Sequence, residues 1–269
     1  MYTKLLPIIA RCFATKHTVN QEQLETFKEL SKQWWNTNHK GTRILHSFND
    51  LRVPWITEQL TQTGLLKKSA DKSTPLAGIS FLEVGCGGGI LTEPLSRLGG
   101  NVTGLDCNED MFKTAVDHNT ENDNFPNLRY VLSTIEEYSV GNKNKYDVVI
   151  ASETIEHVEE QDFFLKCCIE CLKPGGSIFI TTNSKSLFSR LIFINLFEDI
   201  LHYIPKGGHK YDMFIDIEDM KSMFKRENCN IVFSSGMIYN MFTVKWYWIK
   251  NPYIMHYAIH AVKSNATLT

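Results

Sequence analysis

The chain lacks an excess of charge of either sign. Its 28 lysine and arginine residues nearly balance 30 aspartate and glutamate residues, a net charge of −2 over 269 residues, so it has no broad basic field to offer nucleic acid. It also lacks an uncharged apolar run long enough to span a bilayer. The most apolar stretch, SLFSRLIFINLFEDILHYIP at 186–205, is interrupted by Arg190, Glu198 and Asp199. A disulfide framework is missing too: seven cysteines, odd in number and unevenly spaced, suit a reducing compartment. Cys168-Ile-Glu-Cys171 has no second CxxC to complete a zinc site. With Phe164, Cys167 and Leu172 these cysteines recur at helical spacing, so the expectation is a buried apolar face. Internal repeats and low-complexity linkers are absent. The rest, 43% hydrophobic and 22% charged, is the composition of one globular domain with a sizeable core.

No acidic residue precedes Glu22, and Lys4, Arg11 and Lys16 are spread among apolar neighbours. That pattern predicts a mitochondrial transit peptide over 1–17, followed by one domain over 18–269. Residues 19–66, carrying Trp34, Trp35, Leu45, Phe48, Leu51 and Trp55, read as helices that cap the ligand face. From 79 onward short β-rich runs alternate with helix-length segments, at 79–84, 101–105, 128–132, 146–150 and 176–181. This alternation predicts an α/β fold, a doubly wound, mostly parallel sheet. Runs at 230–233 and 257–262 complete seven strands, the last as an antiparallel neighbour. An apolar insert over about 184–212 follows the fifth strand.

Phe81-Leu-Glu-Val-Gly-Cys-Gly-Gly-Gly89 ends a strand and opens a helix. Gly85 and Gly87 let the backbone pass close to a nucleoside cofactor. A dinucleotide fingerprint needs glycine at its sixth position, and Ile90 stands there, which disfavours an NAD-dependent oxidoreductase and favours a cofactor without a pyrophosphate. Asp106 ends the second strand, where a carboxylate accepts hydrogen bonds from ribose hydroxyls. After the fourth strand, ASETIEHVEE brings Glu153, Glu156 and His157 together. If the chain turns helical after Ala151, they share one face and can converge on one cation, with oxygen ligands suiting Mg²⁺ or Mn²⁺. Two other readings stand beside that one: an acidic helix start with His157 merely packed, and His157 as a metal-free general base oriented by the glutamates.

Taken together, FLEVGCGGG, VTGLD and YDVVIASETIEHV resemble the S-adenosylmethionine-dependent class I methyltransferases. With Trp34-Trp35, Leu45-His-Ser-Phe-Asn-Asp-Leu-Arg52, GCGGGILTEPLSRLG, LKPGG and Pro205-Lys-Gly-Gly-His209, the likeness extends over about 25–262 to the ubiquinone-biosynthesis O-methyltransferases of mitochondria and bacteria. The resemblance implies cofactor contacts at Arg52, Gly85, Asp106 and Ser152, with Arg52 suited to the methionine carboxylate and Ser152 contributing through its backbone. It also implies a divalent ion, Mg²⁺ by preference, on Glu153, Glu156 and His157. There it would lower a catechol hydroxyl pKa of roughly 10 and present the oxygen to the sulfonium methyl.

The implied substrates are a polyprenylated dihydroxybenzoate and demethylubiquinol. The implied setting is the mitochondrial matrix, peripheral on the inner membrane and within a multi-enzyme ubiquinone-biosynthesis complex, with the 186–205 stretch lying on the lipid interface or lining an apolar tunnel. Two rivals remain open here: a class I methyltransferase for another small molecule, and a scaffold that binds S-adenosylmethionine or lipid without turnover. Tyr239, Trp246, Tyr247 and Trp248 suit an apolar pocket or plain core. Lys206, His209 and Lys210 receive no role.

Overall fold

The computed structural model describes residues 28, 30–66, 72–189 and 211–265. The expected transit segment and most of the apolar insert, including Lys206, His209 and Lys210, lie outside the described residues.

Helix α1 (Lys40–Gln62) buries Phe48, Arg52, Trp55, Ile56, Gln59 and Leu60, a single stripe at helical spacing. Its Pro54 sits on the exposed side, where water can satisfy the carbonyl that loses its donor. Then β1 (Ser80–Val84), α2 (Thr92–Arg97), β2 (Asn101–Asp106), α3 (Glu109–Glu121), β3 (Leu128–Leu132), α4 (Ile135–Val140) and β4 (Tyr146–Ser152) alternate as expected. A 3₁₀ turn, Ile155–His157, leads to α5 (Gln161–Cys171) and β5 (Leu172–Asn183), and α6 (Ile217–Arg226) precedes β6 (Cys229–Asn240), β7 (Lys245–Ile249) and β8 (His256–Lys263).

The strands form one sheet in the order β3-β2-β1-β4-β5-β8-β6-β7. The first five are parallel, and β8, β6 and β7 extend the sheet in antiparallel fashion. The sheet therefore has eight strands rather than seven. The missed one, β7, is KWYWI: Trp246 is buried while Tyr247 and Trp248 are exposed, so no alternation of apolar and polar residues marks the strand.

Alternate residues of the inner strands feed two cores, as a sheet buried on both faces requires. Val149, Ala151, Ile178 and Ile180 pack with Phe164, Cys167, Cys168 and Cys171 of α5. Val148, Ile150 and Phe179 pack with Phe48, Trp55, Ile56 and Leu60 of α1. The CxxC pair is thus core, and burial pushes the Cys171 thiol up to about 12.

Candidate functional site

The carboxyl ends of β1, β2 and β4 meet at one edge of the sheet, where open α/β sheets carry their ligands. Gly85, Gly87 and Gly89 all have positive φ, +71°, +53° and +94°, which only glycine adopts freely. A Cβ added at Gly87 would lie 2.5 Å from the Trp34 ring, and one at Gly85 would run into the Thr154 side chain. Asp106 clasps the loop: its Oδ2 accepts from the Gly87 amide at 2.7 Å and its Oδ1 from the Asn108 amide at 2.8 Å. Burial raises the Asp106 pKa, and these amides oppose the rise. The carboxylate keeps further lone pairs for a ligand.

The segment before α1 closes over this loop, as the capping expectation held. Trp35 donates its indole N–H to the Gly88 carbonyl at 2.9 Å and stacks face to face on His118, with centroids 3.4 Å apart. His118 in turn meets Glu93 at 2.8 Å.

Arg52 is buried beneath the same edge. It donates through Nε to Asn49 at 2.7 Å and through Nη1 to the Ser152 hydroxyl at 2.9 Å, and that hydroxyl lies 2.7 Å from Thr181 Oγ1. Burial lowers its pKa to about 10, opposed by the charges of Glu83 and Glu153, so it remains a cation at neutral pH. Ser152 thus reaches the site through its side chain as a rest for the guanidinium, and not through its backbone alone.

Glu83, on β1, is buried with Oε2 unpaired. Burial raises its pKa from 4.5 to about 8, against the pull of Arg52. The folded chain therefore holds a proton up to about pH 8 that the unfolded chain releases above 4.5, so stability falls as pH rises through that window. Glu83→Gln is expected to remove this slope, raising stability at pH 8 by on the order of 2 to 4 kcal/mol while leaving it unchanged at pH 4. Urea unfolding at both pH values measures the difference.

At the end of β4 the geometry corrects the expected metal trio. The strand continues to Ser152, Glu153 adopts φ +56°, and only a three-residue 3₁₀ turn follows. Residues 153, 156 and 157 therefore never share a helical face. Glu153 Oε2 lies 3.1 Å from Nε2 of the buried His256. Glu156 accepts from Thr182 at 2.8 Å and Asn183 at 3.3 Å. Burial, then the charge of Glu153, drive the Glu156 pKa well above the carboxylate range. His157 closes the turn, half-buried. Among the described residues, no group of three or more His, Cys, Asp or Glu side chains is placed to hold a metal ion.

The sequence reading missed His256, Thr181, Thr182 and Asn183. The first lies on an antiparallel strand from the end of the chain and reaches Glu153 only because β8 pairs with β5, Asn183 opposite His256. No local pattern marks it. Burial tends to neutralise Glu153, but His256, Thr181 and Arg52 outweigh it and hold the carboxyl below its ordinary range.

The chain resembles known proteins over most of its length. Residues 82–180, the stretch from β1 to β5, match the model of a methyltransferase domain. The mitochondrial ubiquinone biosynthesis O-methyltransferase of Rattus norvegicus is 38% identical over 95% of this chain and 73% of its own length, and the human protein of that name is 38% identical over 95% and 68%. The ubiquinone biosynthesis O-methyltransferase of Acinetobacter baumannii is 33% identical over 92% of this chain and 98% of its own. Among solved structures, magnesium protoporphyrin IX methyltransferase from Synechocystis with bound S-adenosylhomocysteine superposes with a TM-score of 0.55 at 18% identity, covering 98% of this chain and 97% of that one. At that identity the likeness speaks to fold alone.

Proposed function

This chain belongs to the ubiquinone biosynthesis O-methyltransferase family, and we propose that it transfers the methyl group of S-adenosylmethionine to a ring hydroxyl of a polyprenylated dihydroxybenzoate and of demethylubiquinol. The observation that carries the reading is the single edge on which the glycine loop, its Asp106 clasp, buried Arg52 and an ionised Glu153 all meet.

The residues suit this cofactor. Asp106 would accept the ribose hydroxyls, the glycine loop would pass along the nucleoside, and Arg52 would pair with the methionine carboxylate. The sulfonium supplies an electrophilic methyl. As the ring oxygen attacks in line, its proton passes to the Glu153 carboxylate, the carbon–sulfur bond breaks, and S-adenosylhomocysteine and the methyl ether leave. The family likeness implies a divalent ion, but among the described residues Glu153, Glu156 and His157 do not converge on one as they stand.

Labelled S-adenosylmethionine with a short-chain catechol acid tests the reading, and turnover is the expected result. No transfer to any catechol or quinol would bring the non-catalytic scaffold forward. The same assay in EDTA, with Mg²⁺ added back, tests the ion: chelation-sensitive turnover would mean that the three side chains regroup around a metal in the working complex. Asp106→Asn is expected to weaken S-adenosylmethionine binding by about ten-fold or more, since it costs a charge-assisted acceptor. An unchanged dissociation constant by calorimetry would sink the ribose assignment.

The names of the relatives favour a mitochondrial protein, and the basic start of the chain favours import through residues 1–17. We further propose a matrix-side enzyme, peripheral on the inner membrane and working within a biosynthetic complex, with the apolar insert at the lipid. Among the described residues no helix is long and apolar enough to cross a membrane.

A further inference from the structure

Arg52 and Glu153, the two charged groups assigned to cofactor and substrate, meet at the end of β4, where Arg52 rests on Ser152 and Glu153 is the next residue. Away from β4 each has a second support. The guanidinium carbon of Arg52 lies 5.0 Å from the centroid of the Phe48 ring, and Glu153 Oε2 lies 3.1 Å from His256 Nε2.

Trp246 joins these two supports. Its ring stacks on Phe48 with centroids 4.5 Å apart and meets His256 edge to face, at 4.9 Å and an interplanar angle of 81°. Ser152, Arg52, Phe48, Trp246, His256 and Glu153 therefore form a closed circuit of contacts through β4, α1, β7 and β8.

The topology makes this a task for a large ring. Strand β6 lies between β7 and β8, with Tyr239 opposite Trp246 and Met237 opposite His256. At roughly 4.8 Å per strand, the backbones of β7 and β8 stand about 9 to 10 Å apart, and the indole spans much of that interval. Its N–H donates to the Ile44 carbonyl of α1 at 3.1 Å, which fixes the ring against the helix that carries Phe48 and Arg52. Trp246, Phe48 and His256 are all buried. A cation beside an aromatic face gains most when both are desolvated, and paired rings keep preferred angles rather than sliding freely.

We infer that Trp246 is a positioning residue of the transfer step: by bracing Phe48 and His256 together it holds the Arg52 guanidinium, and with it the cofactor, at a fixed spacing from the Glu153 carboxylate. The inference rests on the reading of methyl transfer with Glu153 as base. An in-line displacement is sensitive to such spacing, since a misplacement of about 1 Å lowers a rate by on the order of 10²-fold.

In the full-length protein, Trp246→Leu is expected to lower kcat for the short-chain catechol acid by about 10- to 100-fold. It should also raise the dissociation constant for S-adenosylmethionine by about three- to ten-fold. Trp246→Phe, which keeps a ring and loses the indole donor, should recover part of both. Trp248→Leu, on the same strand and packed with Trp55 and Phe233, should leave both at wild-type values. In a His256→Ala background either Trp246 variant should lower kcat no further, and in a Phe48→Leu background neither should weaken cofactor binding further. Losses that add in full to those of the two partners would make Trp246 plain core and overturn the inference. So would wild-type kcat and affinity in Trp246→Leu, or equal losses in Trp248→Leu. If Trp246→Leu does not fold, Trp246→Phe decides by the same cycles. Calorimetry of cofactor binding is read without turnover, so a wild type that binds S-adenosylmethionine and transfers no methyl strikes the proposed reaction, while the Phe48 cycle still decides the link to Arg52.

Discussion

Glu153→Gln is expected to lower kcat by about 10²- to 10⁴-fold, the usual contribution of a positioned general base, while the dissociation constant for S-adenosylmethionine changes by less than about three-fold. The substitution keeps shape and burial and removes the charge that Arg52 and His256 face. The reason to expect so large a loss is positional. Glu153 follows Ser152, the residue on which Arg52 rests, so it stands next in the chain to the support of the guanidinium assigned to the methionine carboxylate. Its φ of +56° is unusual for a glutamate and turns the side chain from the strand towards His256. His256→Ala should reproduce part of the loss, and His256→Gln, which keeps a donor, should recover some of it. Single-turnover methyl transfer, with cofactor binding measured separately, checks both. A Glu153→Gln enzyme as fast as wild type would remove Glu153 from the chemistry and return the base to His157.

Gly85→Ala is expected to cost about 100-fold or more in kcat/KM and about 2 to 4 kcal/mol of stability. Two costs add. At φ +71° an alanine is strained, by about 1 to 2 kcal/mol. The new Cβ also meets Thr154, 2.6 Å from its Oγ1 and closer still to its methyl group. Thr154 cannot withdraw cheaply, because its hydroxyl donates to the Val84 carbonyl at 3.2 Å and leads into the turn that carries Glu156. One methyl group therefore disturbs the cofactor loop and the β4 end together. Thr154→Ser removes the nearest carbon and keeps the hydroxyl, so the double variant should regain part of the stability and rate but not the share due to φ. Purely additive effects in that cycle would mean that the contact does not carry the damage.

What could be read locally depends on how far each interaction reaches along the chain. The parallel strands announce themselves as apolar runs, because both faces of the sheet are covered; VVI and IFI need no partner to be recognised. The glycine loop is equally local, since positive φ at Gly85 and Gly87 is a demand on the backbone that glycine alone meets cheaply. Asp106 was legible because the strand that ends in it follows the loop at the spacing of a nucleoside fold, and its clasp on the Gly87 amide agrees. The cysteines of α5 were legible as core from their helical period. Strand β7 was not, since three consecutive aromatics show no alternation of apolar and polar residues.

The site divides along the same line. The sequence by itself determined that Glu153, Glu156 and His157 stand together after β4, and that a glycine loop is followed by a strand with an acidic end. Only the tertiary structure decided what the three side chains do. Two extra strand residues and a 3₁₀ turn replace the helix on which their convergence depended. Partners brought by β5 and β8 then engage the carboxyls, Thr182 and Asn183 holding Glu156 and His256 holding Glu153. Spacing along a chain fixes which residues can be neighbours on one element, whereas a buried carboxyl is governed by whichever donor or charge the packing brings within about 3 Å. For Glu153 that group is His256, supplied by the last strand of the sheet.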